Sequence, residues 1–353
     1  MIRFAWLQAR SQTAVVGAGL AVVAILAAIT GPHLGHLYAT TVAECRLQQN
    51  CVGGINPFSN ADYNLYGILG MLVLVLPGIV GVFWGAPLVS RELESGTYRL
   101  AWTQGVGRRR WLASRLAVVG LASVAATGAM SLAVSWAARS IDLTKADQFR
   151  YFDQRDVVPV GYAAFGLALG VVIGLLVRRV LPALATTLVA FVLSRYAVER
   201  GLRPHLVGVS HSASSLRGAS GLGFALQPGG ASVSLDAPHI PNAYVLSAQL
   251  VDKAGHPVSG PALHRFLLQN CPSMAISQAP LGPGAANTAT PGPAGPAVFN
   301  ACVDRLSSVY HQSVTYIGPS RYWTMQWKEM CLFLVGAVVL AAVGVWMIKR
   351  TPS

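Results

Sequence analysis

The sequence is short of charge. Asp, Glu, Lys and Arg make up 11% of its 353 residues, where a soluble domain carries about 25%. Acidic residues are the scarcer kind, 13 against 26 Lys and Arg. Common catalytic signatures are also missing. There is no G-x-x-x-x-G-K-[ST] run to cradle phosphates, no H-E-x-x-H zinc helix and no G-x-S-x-G nucleophile turn. Enzymes of those classes are excluded, and with no nucleophile, metal set or acid pair in view, membrane-embedded catalysis is the weakest reading. Acids are nearly absent from the apolar runs, where a proton-coupled carrier needs them. Glu199 and Glu329 fall only at the ends of such runs, facing outward.

What the sequence has is apolar length. Hydrophobic residues make up 53% and mean hydropathy is +0.50. A helix of about 20 apolar residues crosses a bilayer, and the runs place spans at Ala14–Thr30, Leu65–Val89, Leu112–Ala137, Val160–Val177, Val180–Val198 and Trp327–Ile348. The expected fold class is an all-α polytopic membrane protein. It has six transmembrane helices, an N-terminal amphipathic helix and a small mixed α/β extracellular insert between helices 5 and 6. Residues 1–13 form the interfacial helix, 14–199 the first five spans, 200–325 the insert, and 326–353 the last span and tail. Residues 2–12 fit either an interfacial amphipathic helix or the ordinary basic start of a first span. No small-residue cleavage site follows, so the first span is expected to be retained.

The net charge of +13 suggests nucleic acid only until its distribution is read. Arg3, Arg10, Arg91, Arg99, Arg108, Arg109, Arg110, Arg115, Arg178, Arg179, Lys349 and Arg350 all fall on one side of the six spans, opposed there by Glu92 and Glu94. That is the positive-inside bias. It puts both termini in the cytoplasm and the insert outside, and it argues against a nucleic-acid partner. Cysteines agree with this sidedness. Cys45 and Cys51 share the first outer segment, and Cys271 and Cys302 share the insert. Bridges Cys45–Cys51 and Cys271–Cys302 suit an oxidising compartment, with free thiols as the alternative. Cys331 lies in a span. All eight histidines fall in outer segments. His33 and His36 have a metal-like spacing but no further ligand, so no metal site is expected.

Gly166, Gly170 and Gly174 recur every fourth residue and share one helix face. They read either as a ridge for close helix approach or as the general glycine enrichment of membrane helices. Arg195 and Glu199 can pair along a helix or snorkel separately. In the insert, Thr288–Pro296 is low-complexity loop, and Tyr244–Val251 followed by Asp252-Lys-Ala-Gly255 suggests a β-hairpin. Pro261–Gln269 and Val298–Tyr310 look helical. Val298, Cys302, Leu306 and Tyr310 form a core stripe in the second of these.

Between the second and third spans lies a charged island. It runs Gly85-Ala-Pro-Leu-Val-Ser-Arg91-Glu92-Leu-Glu94-Ser-Gly96-Thr97-Tyr-Arg99, then Trp102-Thr-Gln-Gly-Val-Gly-Arg108-Arg-Arg-Trp111. Taken by itself it fits a solvated connection whose charge sets orientation. It also resembles the loop after the second span of ABC-2 type transporter permeases. The run Tyr316-Ile-Gly-Pro-Ser-Arg321-Tyr-Trp323 through Glu329 resembles the entry to the last span in actinobacterial members, although the insert is larger than in common permeases.

The resemblance implies a transmembrane permease subunit of an ATP-driven exporter in the plasma membrane, not itself an enzyme. Two copies of a separate ABC ATPase, carrying ATP and Mg, would work with two permeases, identical or mixed. The segment 90–111 would be the cytoplasmic coupling loop. Arg91, Glu92, Glu94, Gly96, Thr97 and Arg99 would lie at the docking site, with the two acids meeting basic groups of the ATPase. Arg108–Arg110 would anchor topology. Apart from the resemblance, the apolar, Gly-rich spans suit a hydrophobic or amphiphilic substrate and suit membrane packing equally well. The competing reading is a membrane-anchored extracellular binding or sensor protein.

Overall fold

The computed structural model describes residues 2–48, 58–95, 108–145, 148–216, 223–227, 230–234, 240, 242–271 and 296–350. Six helical stretches among them are long and apolar enough to cross a membrane: Ala21–Thr41, Asn60–Glu94, Arg110–Leu143, Gln148–Val177, Val180–Leu206 and Pro319–Ile348. The chain divides into two units, one made of Met1–Val207 with Ser320–Ser353, the other of Gly208–Pro319.

Helix α1 runs unbroken over Ile2–Gln48. Among the described residues, its apolar stretch is Ala21–Thr41, which overlaps the expected span Ala14–Thr30. The helix continues through the polar residues past Thr30, where Thr30, Thr40 and Thr41 donate their hydroxyls to the carbonyls of Leu26, His36 and Leu37.

Helix α2 (Asn60–Ile79) starts in a capping box. Ser59 Oγ accepts from Asp62 N at 3.3 Å and Asp62 Oδ2 accepts from Ser59 N at 2.9 Å. A π-helical turn, Val80–Gly85, follows Pro77, and α3 (Ala86–Ser95) completes the rod. Proline cannot donate to the preceding turn, and the widened turn is where the helix absorbs that loss.

Helix α4 spans Arg108–Lys145. After a 3-10 turn at Gln148–Gln154 comes α5 (Val158–Val177), the most enclosed helix of the bundle. Helix α6 (Val180–Ala197) continues through a π turn, Val198–Leu202, into α7 (Arg203–Leu206). The last helix, α10, covers Tyr322–Arg350. One apolar core joins α1, α2 and α4 through Leu34, Tyr66, Leu69, Val73 and Val134. A second, at the other end of the bundle, joins Val89, Trp111, Leu112, Val171 and Ile348. Outward faces remain apolar, with Leu121 71% and Leu181 78% exposed. Such a surface suits lipid, not water.

The second unit carries an antiparallel sheet in the order β1-β5-β4, with β1 at Ser210–Ser214, β4 at Tyr244–Val251 and β5 at His311–Ile317. Strands β2 (Gly223–Gln227) and β3 (Gly230–Ser234) pair separately. Helices α8 (Gly260–Asn270) and α9 (Pro296–Val309) supply Leu263, Leu267, Cys302 and Leu306 to its core.

The expected turn after β4 forms. The backbone N–H groups of His256 and Ala254 donate to Asp252 Oδ1 at 2.9 Å each. The His256 N–H foremost, and the others with it, hold that exposed carboxyl below its usual range. The returning arm is a single bridge from Val251 to Pro257 before α8 begins, so β4 takes β5 as its strand partner instead. The helical stretches that flank the insert extend through Leu206 on one side and from Pro319 on the other.

Candidate functional site

Arg91, Glu92 and Glu94 lie on α3, a helical extension of the second span, and not in a loop. Gly96, Thr97 and Arg99 lie outside the described residues. Glu92 Oε1 pairs with Arg115 Nη1 of α4 at 2.5 Å, and the Arg115 guanidinium stacks over the Trp111 ring at 4.7 Å. Glu94 reaches the turn between α5 and α6. There Arg178 takes a left-handed conformation, φ 56°, and its N–H returns to Gly174 O at 3.1 Å. Val180 then opens α6 with an N–H that has no acceptor within its own helix. Glu94 Oε2 accepts it at 2.8 Å, placing a negative charge at the positive end of the helix. The two acids thus fasten α3 to α4 and α6.

The three glycines of α5 lie against the second span. A Cβ on Gly166 would come 2.7 Å from Pro77 O, one on Gly174 2.5 Å from Ala86 O, and one on Gly170 2.7 Å from Ala86 N and closer still to Gly81 O. The approach is mutual. A Cβ on Gly81 would meet Gly166 O at 2.6 Å, and one on Gly85 would meet Leu167 O at 2.6 Å. Backbone therefore packs on backbone through the π turn and α3. Movement of α3 cannot occur without α5 feeling it.

At the opposite end of the bundle lies a buried ionic cluster. Arg203 of α7 donates to Glu329 of α10 through Nε at 2.9 Å and Nη2 at 2.8 Å, with Glu329 1% exposed. Arg203 also binds both oxygens of Asp153, and Tyr162 Oη sits 2.6 Å from Glu329 Oε1 and 2.7 Å from Asp153 Oδ1. Arg195 lies over the Tyr162 ring at 4.1 Å and 3.6 Å from Asp153, so it turns to these groups and not along its helix to Glu199.

Beside this set, Arg155 holds Asp142 at 2.6 Å, Tyr322 donates to Asp156 at 2.5 Å, and Gln326 Oε1 caps the N–H of Val158 at 3.1 Å. The sequence places Glu329 at an outward-facing span end because its partner is 126 residues away. The one local signal is the density of Asp, Arg and Tyr over 151–156.

Cys271 and Cys302 form a disulfide with Cα atoms 5.6 Å apart. Cys45 is disulfide-bonded, and its expected partner Cys51 lies outside the described residues. His33 lies 3.6 Å from Asp62. Among the described residues no three His, Cys, Asp or Glu gather as metal ligands do.

A family model described as ABC-2 membrane transporter related matches residues 17–203, more than half of the chain. The match takes in the first five spans and the charged segment between the second and third. No curated protein and no solved structure matches the chain.

Proposed function

The chain belongs to the ABC-2 membrane transporter related family, and from that premise we propose that it is the permease subunit of an ATP-driven exporter. It works with a separate ABC ATPase that carries ATP and Mg, in a complex of two permeases and two ATPases. The segment 90–111 is the coupling element. Both termini and that segment face the cytoplasm across the plasma membrane, with residues 208–319 outside. The cargo is hydrophobic or amphiphilic, which suits a bundle whose walls are apolar.

The observation that carries this reading is the fastening of α3. Glu92–Arg115 and Glu94–Val180 tie the end of the second span to the third and fifth, and the glycine contacts tie it to the fourth. A push delivered there reaches four spans at once. In the competing reading, a membrane-anchored binding protein, the separate unit 208–319 with its own core and disulfide is the active part.

Purification of the tagged full chain from its native membrane separates the two. The exporter reading expects a stoichiometric P-loop ATPase in the particle and Mg-dependent ATP hydrolysis by it. A lone chain without hydrolysis overturns it.

A further inference from the structure

The charge that α3 and its neighbours present to a partner is positive. Glu92 is half-buried against Arg115, and one oxygen of Glu94 is taken by the Val180 N–H. Arg91, Arg110, Arg178 and Arg179 are exposed, and among the described residues their side chains make no ion pair. The four are neighbours through contacts that the acids make. Arg91 precedes Glu92, and Arg110 precedes Trp111, on which the Glu92 partner Arg115 stacks. Arg178 and Arg179 immediately precede Val180, which Glu94 holds. One set of internal contacts therefore brings basic residues from four helices to the same end of the bundle. The sequence places Arg91, Glu92, Glu94, Gly96, Thr97 and Arg99 at the docking site, with the two acids meeting basic groups of the ATPase; the exposed arginines suggest the opposite sign for that contact.

We propose that this arginine face is the docking surface for the ATPase subunit, and that the matching surface on the ATPase is acidic. The inference rests on the permease reading above and adds the chemistry of the partner. An anionic lipid surface also attracts arginine. Lipid, however, has no need of a fastened geometry, whereas a protein cleft does. An acid paired with Arg115 and a second held on the first turn of α6 lock the ends of α3, α4 and α6 together, as a surface of fixed shape requires. Complementary charge across such a contact speeds and orients docking and weakens with salt.

The test uses the full chain in nanodiscs of phosphatidylcholine alone, together with the P-loop ATPase that co-purifies with it. Reversal of both turn charges, Arg178→Glu with Arg179→Glu, is expected to weaken ATPase binding about tenfold or more at low salt, with the difference shrinking at high salt. Because charge reversal can disturb membrane orientation, Arg178→Lys with Arg179→Lys is the second variant. It keeps the charge, binds the ATPase normally, and places amines that carbodiimide joins to ATPase carboxylates.

If the ATPase binds the reversed variant as well as the parent, and carbodiimide yields no cross-link to the lysine variant, the acidic-surface inference fails while the permease reading stands. If the reversed variant fails only in membranes containing phosphatidylserine and binds the ATPase normally in phosphatidylcholine, the face is a lipid contact and the inference fails. If no ATPase accompanies the parent chain, both readings fail.

Discussion

Arg203 and Glu329, 126 residues apart in the chain, meet through two hydrogen bonds of 2.9 and 2.8 Å where Arg203 is 4% and Glu329 1% exposed. The arginine also serves Asp153, so it balances two carboxylates, whereas Glu329 answers to one guanidinium and one hydroxyl. Removing one member of a buried pair leaves an uncompensated charge, at a cost of about 3–5 kcal/mol. Arg203→Met is therefore expected to lower the melting temperature of the detergent-solubilised protein more than Glu329→Met, since Asp153 still pairs with Arg203 in the latter. Equal losses contradict the shared role of Arg203.

The glycine contact makes a second prediction. Gly170→Ala puts a methyl group against Gly81 O and Ala86 N, and overpacking of this kind costs about 1–3 kcal/mol. Gly67→Ala, in the same bundle, meets nothing within 4 Å, and helix propensity favours it by about 1 kcal/mol. Thermal unfolding is expected to separate the two by sign.

How much of this was legible beforehand differs from feature to feature. Six spans follow from apolar length alone. The four-residue glycine spacing is visible in the sequence, but the backbone that faces it, at Pro77, Gly81 and Ala86, is not. Charge is the part least legible in the sequence, where it marks water and sets the ends of the fifth and sixth spans near Glu199 and Trp327. Arg203 and Glu329 neutralise each other inside the bundle, so the helices run on. Likewise, the contacts of Glu92 with Arg115 and of Glu94 with the Val180 N–H are not recognisable until the chain is folded.

Glu94→Ala should free the Val180 N–H and loosen the first turn of α6. Losing a side-chain acceptor at a helix start costs about 0.5–2 kcal/mol, and amide exchange over Val180–Ala183 reads it. Glu94→Gln keeps an acceptor and loses only the charge, so its effect is smaller. Glu94→Arg is expected to lower ATP-driven transport while the chain remains folded and inserted. Unchanged transport at normal expression argues against the clamp.

Cys271 and Cys302 close a separation of 31 residues, and a bridge of that span stabilises the folded state by about 3–4 kcal/mol in the chain-entropy account. Cys271→Ser with Cys302→Ser is expected to make residues 208–319 susceptible to limited proteolysis while leaving the membrane-embedded fragments intact. Peptide mapping without reductant should recover the bridge in the parent protein.

The central claim is that residues 90–111 and residues 208–319 face opposite sides of the membrane, so that one can meet an ATPase and the other cannot. It is tested most directly in intact cells with a membrane-impermeant maleimide, using Arg91→Cys and Lys253→Cys, each in a Cys331→Ser background. The account predicts labelling at position 253 in intact cells and at position 91 only after permeabilisation. Labelling of position 91 from outside contradicts it.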